Sequence, residues 1–135
     1  SGPEALAAAT ADEVRAGTAS NKTVSPSALA LAAAFQTLTD ATTIAWDAAL
    51  GFNARVTLGG NRTMGAPTNL YDGLTYSLAI TQDGTGSRTL SWNSIFDWGD
   101  LGAPTLSTTA GKVDRAFGQY DSTTGKLNMT FRRAA

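Results

Sequence analysis

The 135-residue chain is 42% hydrophobic, 16% charged and carries a net charge of −1, enough apolar material for one domain plus a short appendage but no electrostatic footprint for nucleic acid. It has neither cysteine nor histidine, which excludes disulfide staples, thiolate nucleophiles, Cys-based zinc sites and a Ser-His-Asp arrangement, and removes the commonest general base and transition-metal ligand. The longest apolar run, Ala28 to Phe35, is too short and too alanine-rich to span a bilayer, so membrane insertion is not expected; no cofactor is expected either.

Ser1-Gly2-Pro3 follows neither a basic n-region nor an initiator Met and reads as the start of a fragment, a processed product or an expression scar. Thr10 and Glu13 have the spacing of a capping box, Asp12 and Glu13 suit a positive helix N-terminus, and Gly17 is a stop, which predicts a helix over 11–16. Ser25 before Pro26 predicts a second helix running to Leu38. Its apolar positions Val24, Ala28, Leu31, Phe35 and Leu38 have the spacing of a narrow a/d seam. Such a stripe serves either as a seam between copies of the chain or as the face one helix lays on its own β-domain. Composition shifts near Thr39-Asp40, dividing a helical connector or oligomerisation segment, 1–40, from a β-domain, 41–135.

Beyond that boundary the apolar period becomes two. Ile44, Trp46 and Ala48 make a first run, and Phe52, Ala54, Val56 and Leu58 a second. Leu74, Tyr76, Leu78 and Ile80 make a third, which the glycine-rich Asp83 to Ser87 turn connects to Leu90 and Trp92, a pattern that predicts an antiparallel hairpin. Val113 to Tyr120 and Leu127 to Phe131 are joined by a turn at 122–125. The expected fold is mainly β: short N-terminal helices, then an antiparallel, jelly-roll-like β-sandwich. Few charges beside abundant Gly, Thr, Ser and Asn suit tight turns, strand edges and surface shared in a multimer.

The polar cluster that stands out is Asp97-Trp98-Gly99-Asp100, two carboxylates and an aromatic ring in a glycine-containing loop. Trp98, Asp97 and Asp100 are the candidate glycan contacts, since a flat apolar ring packs on the C–H face of a sugar; two carboxylates fall short of a calcium shell, and a solvated turn accounts for the same residues. Trp46 and Trp92 are in phase with dry strand faces and read as core. Asp47, Asp72, Asp83 and Asp114 are the raw material for a glycosidase pair, whose separation sequence does not give. The glycine-rich turns lack phosphate-loop spacing, and the acceptor triplets at Asn21, Asn61 and Asn128 arise by chance in so Asn- and Thr-rich a chain.

Several short words occur in a characteristic order: Val56-Thr57-Leu58-Gly59-Gly60-Asn61-Arg62-Thr63, Ala66-Pro67-Thr68-Asn69, Thr81 through Trp92, and Gly102-Ala103-Pro104-Thr105-Leu106-Ser107. Over about residues 42–121 they resemble a β-domain near the ends of tailed-bacteriophage tail fibres and related virion proteins. Upstream, Ala9 through Thr18 and Lys22 through Leu29 resemble the segment preceding distal modules in phage fibre proteins. The resemblance implies a non-enzymatic virion component, a tail or head fibre or a decoration protein, assembled in the bacterial host cytoplasm. It implies a homotrimer that contacts other virion proteins and a host-surface polysaccharide. It carries over no catalytic residue. No separate distal head follows Thr130 to Ala135, so the β-domain reads as tip or adaptor, or the chain as a fragment. The alternative is a monomeric carbohydrate-binding module or small glycan hydrolase with its site at Trp98.

Overall fold

The computed structural model describes residues 6–134, so the Ser1-Gly2-Pro3 start lies outside the described part. Helix α1 (Ala11–Ala16) has the capping box its sequence predicts: Thr10 Oγ1 accepts from Glu13 N and Glu13 Oε1 from Thr10 N, both at 3.2 Å, and Gly17 closes the helix. Arg15 ties it to the body, its Nε donating to Ala49 O at 2.8 Å and its Nη1 to Leu31 O at 3.1 Å.

Helix α2 (Pro26–Ala32) starts where predicted, with Ser25 Oγ accepting from Ala28 N at 3.1 Å, but stops at Ala32 instead of Leu38. Tertiary hydrogen bonds override the alanine-rich propensity. Asn53 Nδ2 donates to Ala33 O at 2.7 Å, and Gln36 Nε2 donates to Asp47 O at 2.8 Å and Gly51 O at 3.2 Å. Phe35–Thr37 thereby becomes a strand, β1. The proposed seam is not one helical stripe: only Ala28 and Leu31 lie on α2, Val24 precedes it, Phe35 is in β1, and Leu38 is buried in the core. Leu31 is 61% exposed.

The remaining strands are β2 (Thr43–Ile44), β3 (Asn53–Leu58), β4 (Arg62–Met64), β5 (Thr75–Gln82), β6 (Leu90–Trp92), β7 (Phe96–Asp97), β8 (Val113–Asp121) and β9 (Lys126–Arg132). They form two sheets, ordered β1-β3-β5-β8-β9-β7 and β2-β4-β6. The large sheet is mixed and the small one wholly parallel, not antiparallel as expected. Parallel pairs join β1 to β3, β3 to β5, β2 to β4, β4 to β6 and β7 to β9; β8 alone runs antiparallel to its neighbours β5 and β9.

From β1 to β6 successive strands alternate between the two sheets, and β1 to β4 each pair in parallel with the strand two places on, which is the winding of a short β-helix. The predicted hairpin between β5 and β6 is therefore a corner between sheets, and β6 pairs with β4. The β8–β9 hairpin, with its turn where the sequence places it, extends the large sheet beyond the last coil.

Inward-facing residues fill the space between sheets. Ala54, Val56 and Leu58 of β3 lie beside Leu78, Ile80 and Gln82 of β5, while Ile44, Met64 and Trp92 stack in register across the small sheet. Tyr76 is edge-on to Trp46 at 6.1 Å and to Phe52 at 6.2 Å, and its hydroxyl accepts from Tyr71 N at 2.7 Å. Each such large side chain, fully buried, contributes roughly 1.5–3 kcal/mol. Gly118 sits between Tyr76 and Met129, where a Cβ would collide with the Met129 sulfur.

A polar lock holds the corner after β5. Gln82 donates from Nε2 to Arg88 O and Ser107 O, each at 2.8 Å, and accepts from Arg88 N at 2.9 Å. Buried Asp114 accepts from Ser107 N, Ser107 Oγ and Ala134 N, each at 2.7 Å. Six hydrogen bonds to the buried Gln82 and Asp114 side chains thus join β5, the corner after it, the loop before β8, β8 and the C-terminal segment.

Candidate functional site

Trp98 follows β7 and opens the 3₁₀ turn Gly99–Leu101. Its ring turns back onto the body, edge-on to Trp92 at 4.9 Å and to Phe131 at 6.1 Å, while Trp92 is edge-on to Phe96 at 5.0 Å. It is half-buried and lines an open groove of about 430 Å³ with Leu101, Pro104, Met129, Phe131 and Arg133. Leu101 is 97% exposed on the rim. The indole Nε1 atoms of Trp92 and Trp98 are both buried and meet no acceptor among the described residues.

Asp97 and Asp100 flank the groove without lining it. Asp97 Oδ1 accepts from Gly99 N at 2.9 Å, the local turn that a short acidic side chain makes, and both residues are exposed. The structure brings Trp98 together with Phe131, Met129 and Arg133, not with the two carboxylates. Sequence reasoning missed this because Met129 and Phe131 alternate with Leu127 as one dry face; only Leu127 is fully covered, and the other two remain half-buried. Trp46 is core as expected, at 2% exposure, and Trp92 is half-buried.

The four carboxylates considered for hydrolysis each hold backbone. Asp47 accepts from Ala49 N at 3.0 Å and Asn69 Nδ2 at 2.8 Å, Asp72 from Ser122 N at 2.8 Å, and Asp114 belongs to the lock. Asp83 accepts from Thr85 N and Gly86 N, both at 3.0 Å, and pairs with Arg88 at 3.0 Å. Among the described residues no three His, Cys, Asp or Glu side chains gather as metal ligands, and no helix is long and apolar enough to cross a membrane.

Several carboxyls are held below the usual range. Arg88, helped by the Gly86 N–H, lowers Asp83 to about 2; Arg62 lowers Asp40, the Ser122 N–H lowers Asp72, and Lys22 lowers Glu13. A carboxyl lowered by folding contributes stability that is full above its unfolded pKa and lost as pH falls through its folded pKa. The thermal midpoint is expected to be nearly flat from neutral pH to about 5 and to fall steadily between about pH 4 and 2. Asp83→Asn should melt below the parent at neutral pH and approach it as pH falls through about 2; coincident curves at every pH would show that the Asp83 pair contributes nothing.

No protein-family model matches the chain, and neither a curated protein nor a solved structure matches it.

Proposed function

We propose that the chain is a non-enzymatic component of a tailed-phage or phage-derived particle, a tail or head fibre or adaptor that works as a trimer and contacts host-surface polysaccharide through the Trp98 groove. The resemblance of its ordered fibre-like words supports the virion role. The observation that carries the contact is the open, aromatic-walled groove beside Arg133, with no carboxylate in its lining. An apolar wall with one cationic group suits holding a sugar chain, whereas glycoside hydrolysis calls for two carboxyl groups across the bond. Linked copies gain avidity from individually weak sites.

The groove is complete within one chain, which favours a second reading, a monomeric carbohydrate-binding module. Light scattering across a dilution series separates the two. A concentration-independent trimer is expected; a monomer throughout would sink the fibre reading and leave the module. On a glycan array, Trp98→Ala is expected to reduce binding at least about tenfold while leaving the β-sheet circular dichroism unchanged. Undiminished binding would remove the groove from the account.

A further inference from the structure

We propose that the outer face of the large sheet binds an acidic polysaccharide of the polyuronate type through a row of arginines that no carboxylate among the described residues neutralises. This rests on the polysaccharide contact proposed above and gives that ligand a charge and a second surface. Strand register puts Arg55, Ala79, Arg115 and Arg132 in one row across β3, β5, β8 and β9. The adjacent row holds Phe35, Asn53, Ser77 and Phe117, with both phenylalanines more than 40% exposed.

Elsewhere, Arg15, Lys22, Arg62 and Arg88 each pair with a carboxylate. Among the described residues, Arg55, Arg115, Arg132 and Arg133 pair with none. Arg55 instead lies over the Phe35 ring, at 5.4 Å from its centroid. Arg115 and Arg132 stand directly opposite on neighbouring antiparallel strands, where like charges destabilise a sheet. In a chain so sparing of charge, an unrelieved arginine pair fits an anion from outside.

The surface is shaped for a chain of rings. One trough of about 210 Å³ has Ala79 and Ser77 among its lining with Phe35, Phe117 and Arg115; a second, of about 170 Å³, is lined by Arg115, Arg132 and Arg133. Arg115 is common to both, and Arg133 also lines the Trp98 groove. Phenylalanine faces suit sugar C–H groups, and guanidinium forks suit carboxylates in bidentate fashion. Strand spacing spreads Arg55, Arg115 and Arg132 over about 14 Å. The net charge of −1 gives the chain no electrostatic footprint for nucleic acid, and the phenylalanine faces beside the arginines suit rings with C–H faces, so an acidic polysaccharide is the occupant that fits.

The test measures binding to polygalacturonate, with its fully methyl-esterified form as uncharged control and a single-stranded oligonucleotide as competitor class, at low and high salt. The acid polymer is expected to bind at least about tenfold more tightly than the ester, less so in high salt. The double variant Arg115→Gln/Arg132→Gln should lose about that tenfold while melting no lower than the parent, since it removes a repulsion. Equal binding of acid and ester, absence of acid binding, or tighter binding of the oligonucleotide would each overturn the inference. If acid binding is lost in Trp98→Ala and unchanged in the arginine double variant, the groove survives and the arginine face does not; if acid binding depends on the arginines and ignores Trp98→Ala, the reverse holds.

Discussion

Asp114→Ala is expected to lower the unfolding free energy by about 3–5 kcal/mol, measured by urea denaturation at neutral pH. The carboxylate is 2% exposed and accepts from two backbone N–H groups and one hydroxyl. Alanine leaves the buried Ser107 amide and hydroxyl and the part-buried Ala134 amide without their acceptor, and an unsatisfied buried donor costs about 1–3 kcal/mol. It also opens a small void where a well-packed side chain stood. Ser107→Ala removes only the hydroxyl and keeps the amide bond to Asp114, so about 1–1.5 kcal/mol is expected there. A loss under about 1 kcal/mol for Asp114→Ala would mean that water reaches the freed amides and that the lock is not dry.

The lock also explains what was legible in the sequence. Strand positions that alternate cleanly, 52–58, 74–81 and 127–131, lie within a residue or two of β3, β5 and β9 because half-burial imposes period two whatever the partner. The same alternation says nothing about which strand lies alongside. Asp83 to Ser87 carries the glycines of a hairpin, yet the Asp83–Arg88 pair and the Gln82 side chain turn it into a corner. Registered partners are separated by unequal stretches, Phe35 to Asn53 and then Asn53 to Ser77, so no fixed repeat marks the coils.

Short elements failed for a different reason. Thr43–Ile44 and Arg62–Met64 are too brief to show a period, and Phe35–Thr37 follows an alanine run that reads as helix until Gln36 and Asn53 supply its hydrogen bonds from elsewhere in the fold. At the site, Trp98 was visible as an aromatic ring in a glycine-containing loop. Its partners Met129, Phe131 and Arg133 were not, because the parallel pairing of β7 with β9 brings them there. Even the arginine row is invisible in the chain, where Arg55 and Arg115 are distant and Arg132 looks like part of a basic terminus.

Gly86→Ala is expected to cost about 3–4 kcal/mol, against almost nothing for Gly84→Ala two residues earlier. Gly86 has φ +73°, a left-handed conformation costing an alanine about 1 kcal/mol. An added Cβ would also lie 2.6 Å from Thr108 O and 2.9 Å from Ala110 N, both backbone atoms that cannot rotate aside. Relief requires the corner after β5 to separate from the loop before β8, stretching the 2.7 Å bond from Ser87 N to Thr108 O. At Gly84 no atom lies within 4 Å of the added carbon. The displacement should also reach the groove, because Pro104 and Thr105 line it and also pack toward Ser87–Leu90. Paired thermal melts of the two variants therefore test the β-helical corner. A reduced glycan signal for Gly86→Ala, below its melting range and absent in Gly84→Ala, would tie the corner's position to the groove's shape; equal melts would mean that the corner is free to shift and that its close approach to the 108–110 backbone holds nothing in place.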